Sequence, residues 1–409
     1  MRARRNLLLA LVIAGGVLNY VDRQIIAVLK PAIEQDLHWT DADYGRLASL
    51  FQFSAAMAFL FVGRIVDRLG VKWANPIGVA AWSLAAMAHG VARSFLQFAV
   101  VRMALGATES MGTPSGIKTI ATLFSADERA AAIGITNAAG NVGAIITPLF
   151  VPLIAIAYGW RAAFVIMGGV GLVWVVVWFL VMRGVDDAAA PSPAIEGGAP
   201  VGGSILRDRR TWAIAGAKAL SDQVWWLLLF WTPDFFHTVF HLGLAQLGPP
   251  LAVIYGAAAA GSVIAGFVST RLVAAGFSIN TVRKSALLVC ALLVTPAPLA
   301  LTVHNYWIAV GLIGLLLAAH QGFSVNVFAL VADIVPADRV GRVTSFGALC
   351  GNLAGMTILF VAGETLARGF GYAPLLAVAA SSYLLALGWL QVFAPRLRLV
   401  TDPQAAPWS

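Results

Sequence analysis

The chain has 409 residues, of which 60% are hydrophobic and only 11% charged, whereas soluble domains carry about 25% charged residues. That excludes a water-soluble enzyme, and the apolar content with 40 Gly and 18 Pro scattered without a period excludes a disordered or collagen-like chain. The net charge of +8 would suit nucleic acid only if the basic residues clustered on one face of a folded domain; they are spread over alternate loops instead, so no nucleic-acid partner is expected.

Crossing a hydrocarbon layer of ~30 Å takes roughly 20 apolar residues. Apolar stretches fall at 7–30, 45–66, 73–92, 95–117, 129–155, 161–183, 211–236, 249–271, 284–303, 305–331, 340–366 and 373–394, which predicts an all-α polytopic membrane protein of twelve spans. Nineteen Lys and Arg lie in loops on the side of Arg2, Arg4 and Arg5, and five on the other side. By the positive-inside rule both termini are expected in the cytoplasm of a cell whose inner membrane holds the protein. The basic start resembles a signal peptide, but its apolar run continues past Asn19 to Asp22 and Arg23 without a small-x-small site, so an uncleaved first span is expected, ending soon after Lys30 and Pro31.

The stretch 184–210, containing APSPAIEGGAPVGG, reads as a flexible cytoplasmic linker. It divides the chain into a six-span bundle at 1–183 and a second at 211–409 that ends in a short cytoplasmic tail. Ala126-Asp127-Glu128-Arg129 followed by Gly140-Asn141 recurs at a constant displacement as Ala337-Asp338-Arg339 followed by Gly351-Asn352. A repeat of six spans about a midplane site is a transporter's architecture. Cys290 and Cys350 stand in apolar stretches without metal-ligand spacing, so they read as packing residues, and no metal or cofactor is expected.

Several polar residues stand inside these spans. The first contains Asn19-Tyr20-Val21-Asp22-Arg23, an ion pair either at functional depth or snorkelling toward the outer interface. The fourth carries Arg102 and Glu109 on one face, either a structural clamp or a substrate or proton site. Between the second and third spans runs Gly63-Arg64-Ile65-Val66-Asp67-Arg68-Leu69-Gly70-Val71-Lys72. There a glycine allows close helix approach, the aspartate suits a neighbouring helix N-terminus, and the basic residues hold the cytoplasmic face. Lys218 and Asp222, four apart on the seventh span, form a candidate ion pair that either serves the site or only neutralises itself. Trp231 reads as an interfacial anchor or a sugar-facing ring. His320 reads as a satisfied packing residue or, with Gln321 and Asn326, as part of a polar cluster fit for hydroxyl groups, and Asn352 as a helix–helix hydrogen bond or a cavity ligand.

The Gly63–Lys72 pattern at this place resembles the signature loop of the major facilitator superfamily, which implies a gating role for Gly63, Asp67, Arg68, Gly70 and Lys72. Its second copy, Gly266 to Arg271, has Thr270 in place of the aspartate. Asp22, Arg23, Arg102 and Glu109 extend the resemblance to the anion:cation symporters. In that family the first-span arginine binds the substrate carboxylate and the two acids carry the coupling proton. Where the second span of that family often offers a tyrosine, this chain has Ala55. Lys218 with Asp222, Trp231-Thr232-Pro233 and Ala319-His320-Gln321 look like the hexuronate transporter group.

The resemblance implies a major facilitator fold and a proton-coupled symporter importing a hexuronate such as glucuronate or galacturonate by alternating access. Tyr20, Arg23, Arg102, Trp231, His320, Gln321, Asn326 and Asn352 would bind the sugar acid, with Asp22 and Glu109 coupling the proton. Another organic anion (an aldonate, glucarate or a tartrate-like acid), sodium as coupling ion, or a drug/proton antiporter of the same fold are the alternatives. The expected partners are the small anion, the coupling ion and the bilayer, and the expected state is a monomer.

Overall fold

The computed structural model describes residues 2–183, 204–395 and 397. Most of the linker and the C-terminal tail read from the sequence therefore lie outside the described residues. The described residues hold twelve α-helices and no strand: α1 Arg2–Leu37, α2 Asp41–His89, α3 Phe95–Glu109, α4 Gly112–Leu123, α5 Ala126–Tyr158, α6 Trp160–Met182, α7 Arg209–Phe240, α8 Gly248–Ala274, α9 Ile279–Val294, α10 Tyr306–Ile334, α11 Ala337–Ala367 and α12 Ala373–Phe393. Side-chain caps start several of them. Thr40 accepts from the Asp43 amide and Asp43 from the Thr40 amide before α2, Ser94 precedes α3, Ser278 α9 and Asn305 α10; each satisfies amides that a helix leaves free at its start.

Three boundaries differ from the sequence reading. The first helix does not stop near Lys30 but continues through Pro31 to Leu37, which buries Lys30 rather than leaving it in an outer loop. The second and third spans form one hydrogen-bonded run, α2, interrupted at Gly70 with φ 70° and ψ 176°; its 49 residues would measure ~74 Å if straight, more than twice the hydrocarbon layer. The fourth span is parted into α3 and α4 at Ser110 and Met111, whose dihedrals stay right-handed helical. Pro114 lacks the N–H that would reach back to the Ser110 carbonyl, so the ladder fails there.

Among the described residues, nine stretches are long and apolar enough to cross a membrane. Counting α2 twice, α3 with α4 as one crossing, and the more polar α7, the described residues make the twelve crossings of a multi-pass membrane protein. Large apolar side chains such as Phe61, Leu96 and Val263 are exposed while Asp22, Arg102 and Lys30 are buried, the distribution expected when lipid is the solvent.

The chain forms two compact units: unit 1 takes in Met1–Ala194 and Phe230–Ala252, unit 2 Ile195–Leu229 and Val253–Ser409. The second half of α7, which sequence alone assigns to the second bundle, thus packs within unit 1. The glycines of the internal repeat have matching tasks in the two units. Gly140 of α5 faces the Tyr20 ring of α1, and Gly351 of α11 faces the Asp222 carboxylate of α7; a side chain on either would collide with its neighbour.

Candidate functional site

In unit 1 the break between α3 and α4 builds the site. A helix that ends leaves carbonyls without donors, and the amide of Asn19 on α1 donates to the Glu109 carbonyl at the end of α3, at 3.2 Å. Arg23, one turn further along α1, donates from Nε to Glu109 Oε2 at 3.0 Å and from Nη2 to Asn19 Oδ1 at 3.0 Å. Its guanidinium lies 4.9 Å from the centre of the Tyr20 ring and 5.6 Å from that of Phe51, within range for cation–π attraction.

This corrects two expectations. Glu109 pairs with Arg23 and not with Arg102, so the clamp within the fourth span is not formed. Nor is the charge partner of Arg23 its neighbour Asp22, because Asp22 is 1% exposed and neither carboxylate oxygen accepts a hydrogen bond. Arg102, 0% exposed, donates to the Arg23 carbonyl at 2.9 Å and lies over the Phe51 ring, so it positions α1 beneath Arg23, while its Nε and Nη1 have no partner.

Asn19 and Tyr20 also line a cavity of about 140 Å³, together with Asn75, Trp82, Gly112 and Gly140. The Trp82 indole N–H has no acceptor, and Asn75 donates to Thr119 at 2.7 Å. Sequence reasoning passed over both. An isolated Asn or Trp in an apolar span carries no periodic signal, and only the position of Asn75 and Trp82 on the cavity wall singles them out.

A second charged cluster joins residues too far apart in the chain for their spacing to reveal it. Lys30, 2% exposed, donates to Asp41 at 2.6 Å, to Asp234 at 2.7 Å and to Glu34 at 2.9 Å. Trp231 is 1% exposed and so is no interfacial anchor. It is buried in this cluster, edge-on to Tyr44 at 4.9 Å and 5.3 Å from the Lys30 ammonium, and Tyr44 donates to the Phe230 carbonyl at 2.8 Å. These contacts hold the second half of α7 in unit 1.

The signature residues lie on α2. Gly63 has open space around it, so no helix approaches there; the glycine that the backbone requires is Gly70, whose positive φ disfavours other residues. Asp67 meets no helix N-terminus but accepts from Lys118 of α4 at 3.0 Å, and Lys118 also bonds the Val66 and Asp67 carbonyls. Arg68 is exposed, and the Lys72 carbonyl accepts from Trp178. Nearby, Arg5 grips Glu128 through two 2.8 Å bonds, and the Ser125 hydroxyl and Arg5 hold the Glu128 carboxyl below the usual carboxylate range.

In unit 2 the expected cluster of His320, Gln321 and Asn326 comes apart. His320 stacks on Trp225 at 5.3 Å and bonds the Tyr383 hydroxyl at 2.7 Å. Asn326, six residues on and so on another face of α10, accepts from Ser269 at 2.7 Å and from Arg283 at 3.4 Å, and Arg283 pairs with Asp333 at 2.8 Å. Gln321 is half-buried. Lys218 and Asp222 do form their pair within α7, at 2.8 Å, beside Gly347 and Gly351 of α11. Asn352 is half-buried and donates to its own helix at Ala348. Cys290 and Cys350 are free thiols.

A family model described as Major Facilitator Superfamily matches residues 12–358. The chain is 26% identical over 416 residues to the D-galactonate transporter of Escherichia coli O6:H1, covering 94% of this chain and 96% of that protein. It is 25% identical over 401 residues to the hexuronate transporter of Escherichia coli, covering 93% and 91%. Its fold is like that of a bacterial homolog of the human lysosomal transporter Spinster, solved inward-facing and unoccupied, with TM-score 0.74 and 19% identity over 97% of this chain and 96% of that one. The chain belongs to the major facilitator superfamily and is a transporter, not an enzyme.

Proposed function

We propose that the chain is a proton-coupled symporter that imports a hexuronate, such as glucuronate or galacturonate, across the cell inner membrane by alternating access. The observation that carries this reading is the pair of half-buried Arg23 with buried Glu109, both of which bond Asn19 on the wall of the unit 1 cavity. A guanidinium that pairs with an internal carboxylate is a site that a substrate carboxylate can take over, since the planar fork accepts either acid. Glu109, once displaced from Arg23, is a buried carboxylate without its cation and takes up a proton rather than stay charged. Asp22, buried with no hydrogen-bond partner for either oxygen, is the second coupling acid in this reading.

Within unit 1, Asn75, Trp82 and Tyr20 offer donors and acceptors for the hydroxyl groups. Gly63, Asp67, Arg68, Gly70 and Lys72 gate the cytoplasmic side through the Asp67–Lys118 bond. Both termini are cytoplasmic, following the loop charges, and the protein acts as a monomer.

The D-galactonate transporter favours a second reading, an aldonate as substrate, since aldonates and hexuronates are both polyhydroxylated monocarboxylates. The test is uptake of a labelled panel of sugar acids by proteoliposomes under an imposed pH gradient, with a sodium gradient as control. Accumulation of a hexuronate driven by the pH gradient is the expected result. Accumulation of aldonates alone would move the substrate to the second reading, and a sodium requirement would overturn the proton.

A further inference from the structure

Unit 2 carries a second concavity whose chemistry is the opposite of the polar site. It measures about 380 Å³ and lies among α8, α9 and α10, running from Gly261 and Leu293 at one end to Leu272 and Val282 at the other. Small residues let its walls meet closely: a Cβ on Gly322 would lie 2.9 Å from the Ala265 Cβ and 3.1 Å from the Cys290 sulfur. The residues along its rim are apolar and open, with Ile264 62% and Val289 54% exposed. All three helices are long and apolar enough to span a membrane, so the opening faces hydrocarbon.

Length and charge specify the occupant. The rise of α8 from Gly261 to Leu272 is about 16 Å, close to half of the ~30 Å hydrocarbon layer and so to the depth of one leaflet. The end marked by Leu272 and Val282 adjoins three cations. Two are engaged: Arg283 with Asp333, and Lys284 with Gln391 and the Pro395 carbonyl. The third, Arg271, is exposed and lies over the Phe267 ring at 4.8 Å, with no ion pair among the described residues.

We propose that this groove binds one acyl chain of an anionic phospholipid from the leaflet on the side of the α8–α9 connection, with the lipid phosphate on Arg271. A chain of one leaflet's length fills an apolar groove of that length, and Arg271, with no ion pair among the described residues, stands at the end where a headgroup emerges.

Native mass spectrometry of the full chain, released from detergent with phosphatidylglycerol or phosphatidylcholine added at equal concentration, tests this. The wild type should retain one phosphatidylglycerol in preference to phosphatidylcholine. Arg271→Gln, which alters an exposed side chain, should lower that preference about fivefold while still retaining lipid. Ala286→Phe, which fills the groove, should lose both lipids. In a Cys350→Ser background, phosphatidylglycerol should slow alkylation of Cys290 by N-ethylmaleimide. Equal retention of the two lipids by the wild type, or an unchanged preference in Arg271→Gln, would overturn the proposal even if Ala286→Phe fails to fold. Disulfide cross-linking between two copies of Ile264→Cys would assign the groove to a second copy of the chain and overturn it as well.

Discussion

Unit 1 and unit 2 descend from the same repeated pattern yet treat buried charge differently. In unit 1 the deep cations are tied across helices: Arg23 of α1 to Glu109 of α3, and Lys30 of α1 to Asp41 of α2 and Asp234 of α7. In unit 2 the deep pair, Lys218 with Asp222, lies within one helix, and the pair between helices, Arg283 with Asp333, sits near helix ends. A pair across helices makes packing depend on charge, because moving either helix strands a buried ion, whereas a pair on one helix travels with it intact. Under the proposed function, the charge coupling therefore falls to unit 1, while unit 2 holds its buried His320 by a neutral contact with Tyr383.

The largest effect expected from this contrast is at Lys30. Lys30→Ala removes the buried cation that Glu34, Asp41 and Asp234 share, which should destabilise the protein by ~3–5 kcal/mol. A thermal unfolding series in detergent measures it, and restoration in Lys30→Ala combined with Asp234→Asn would tie the loss to charge. A midpoint unchanged in the single variant would mean that the cluster does not hold α7 in unit 1.

Arg23→Lys should come next. A point charge lacks the fork that grips a carboxylate through two bonds, and the loss is ~2–5 kcal/mol, at least about thirtyfold in sugar-acid affinity. Binding by isothermal titration checks it; near-normal affinity would move the anion to Arg102 or Lys218.

Glu109→Gln separates coupling from binding. A glutamine imitates the protonated acid, so exchange of external for internal sugar acid should persist while uphill uptake driven by a pH gradient disappears. The two assays are run on one batch of liposomes, and retained uphill uptake would leave Asp22 as the sole coupling acid. The smallest effect is expected in unit 2: Lys218→Met together with Asp222→Leu removes a local pair and should alter stability by under ~1 kcal/mol. A loss as large as that of Lys30→Ala would erase the difference between the units.

Much of the site could be read from the chain because a charge inside an apolar run stands out. Asp22, Arg23, Arg102, Glu109, Lys218 and Asp222 were all visible in this way, and all are buried or half-buried on membrane helices. Their pairing was not visible. Periodicity places Arg102 and Glu109 on one face of a helix, but it cannot say that α1 arrives with Arg23 between them in the competition for Glu109. Asn326 was grouped with His320 because the two are near in sequence, and the helical turn then sends them to different neighbours, Ser269 and Tyr383.

The sequence by itself determined the solvent, the number of crossings and the internal repeat, because hydropathy and helix rise act over one span at a time and need no knowledge of neighbours. Helix ends were less secure. Lys30 and Pro31 looked like a terminus, and only burial of the ammonium among Glu34, Asp41 and Asp234 explains why α1 continues to Leu37. Tertiary structure alone decided which acid holds which cation, which half of α7 belongs to unit 1, and that Trp231 closes over Lys30. Each of these turns on distances of a few ångströms between residues far apart in the chain, where electrostatic energy changes steeply and sequence spacing carries no information.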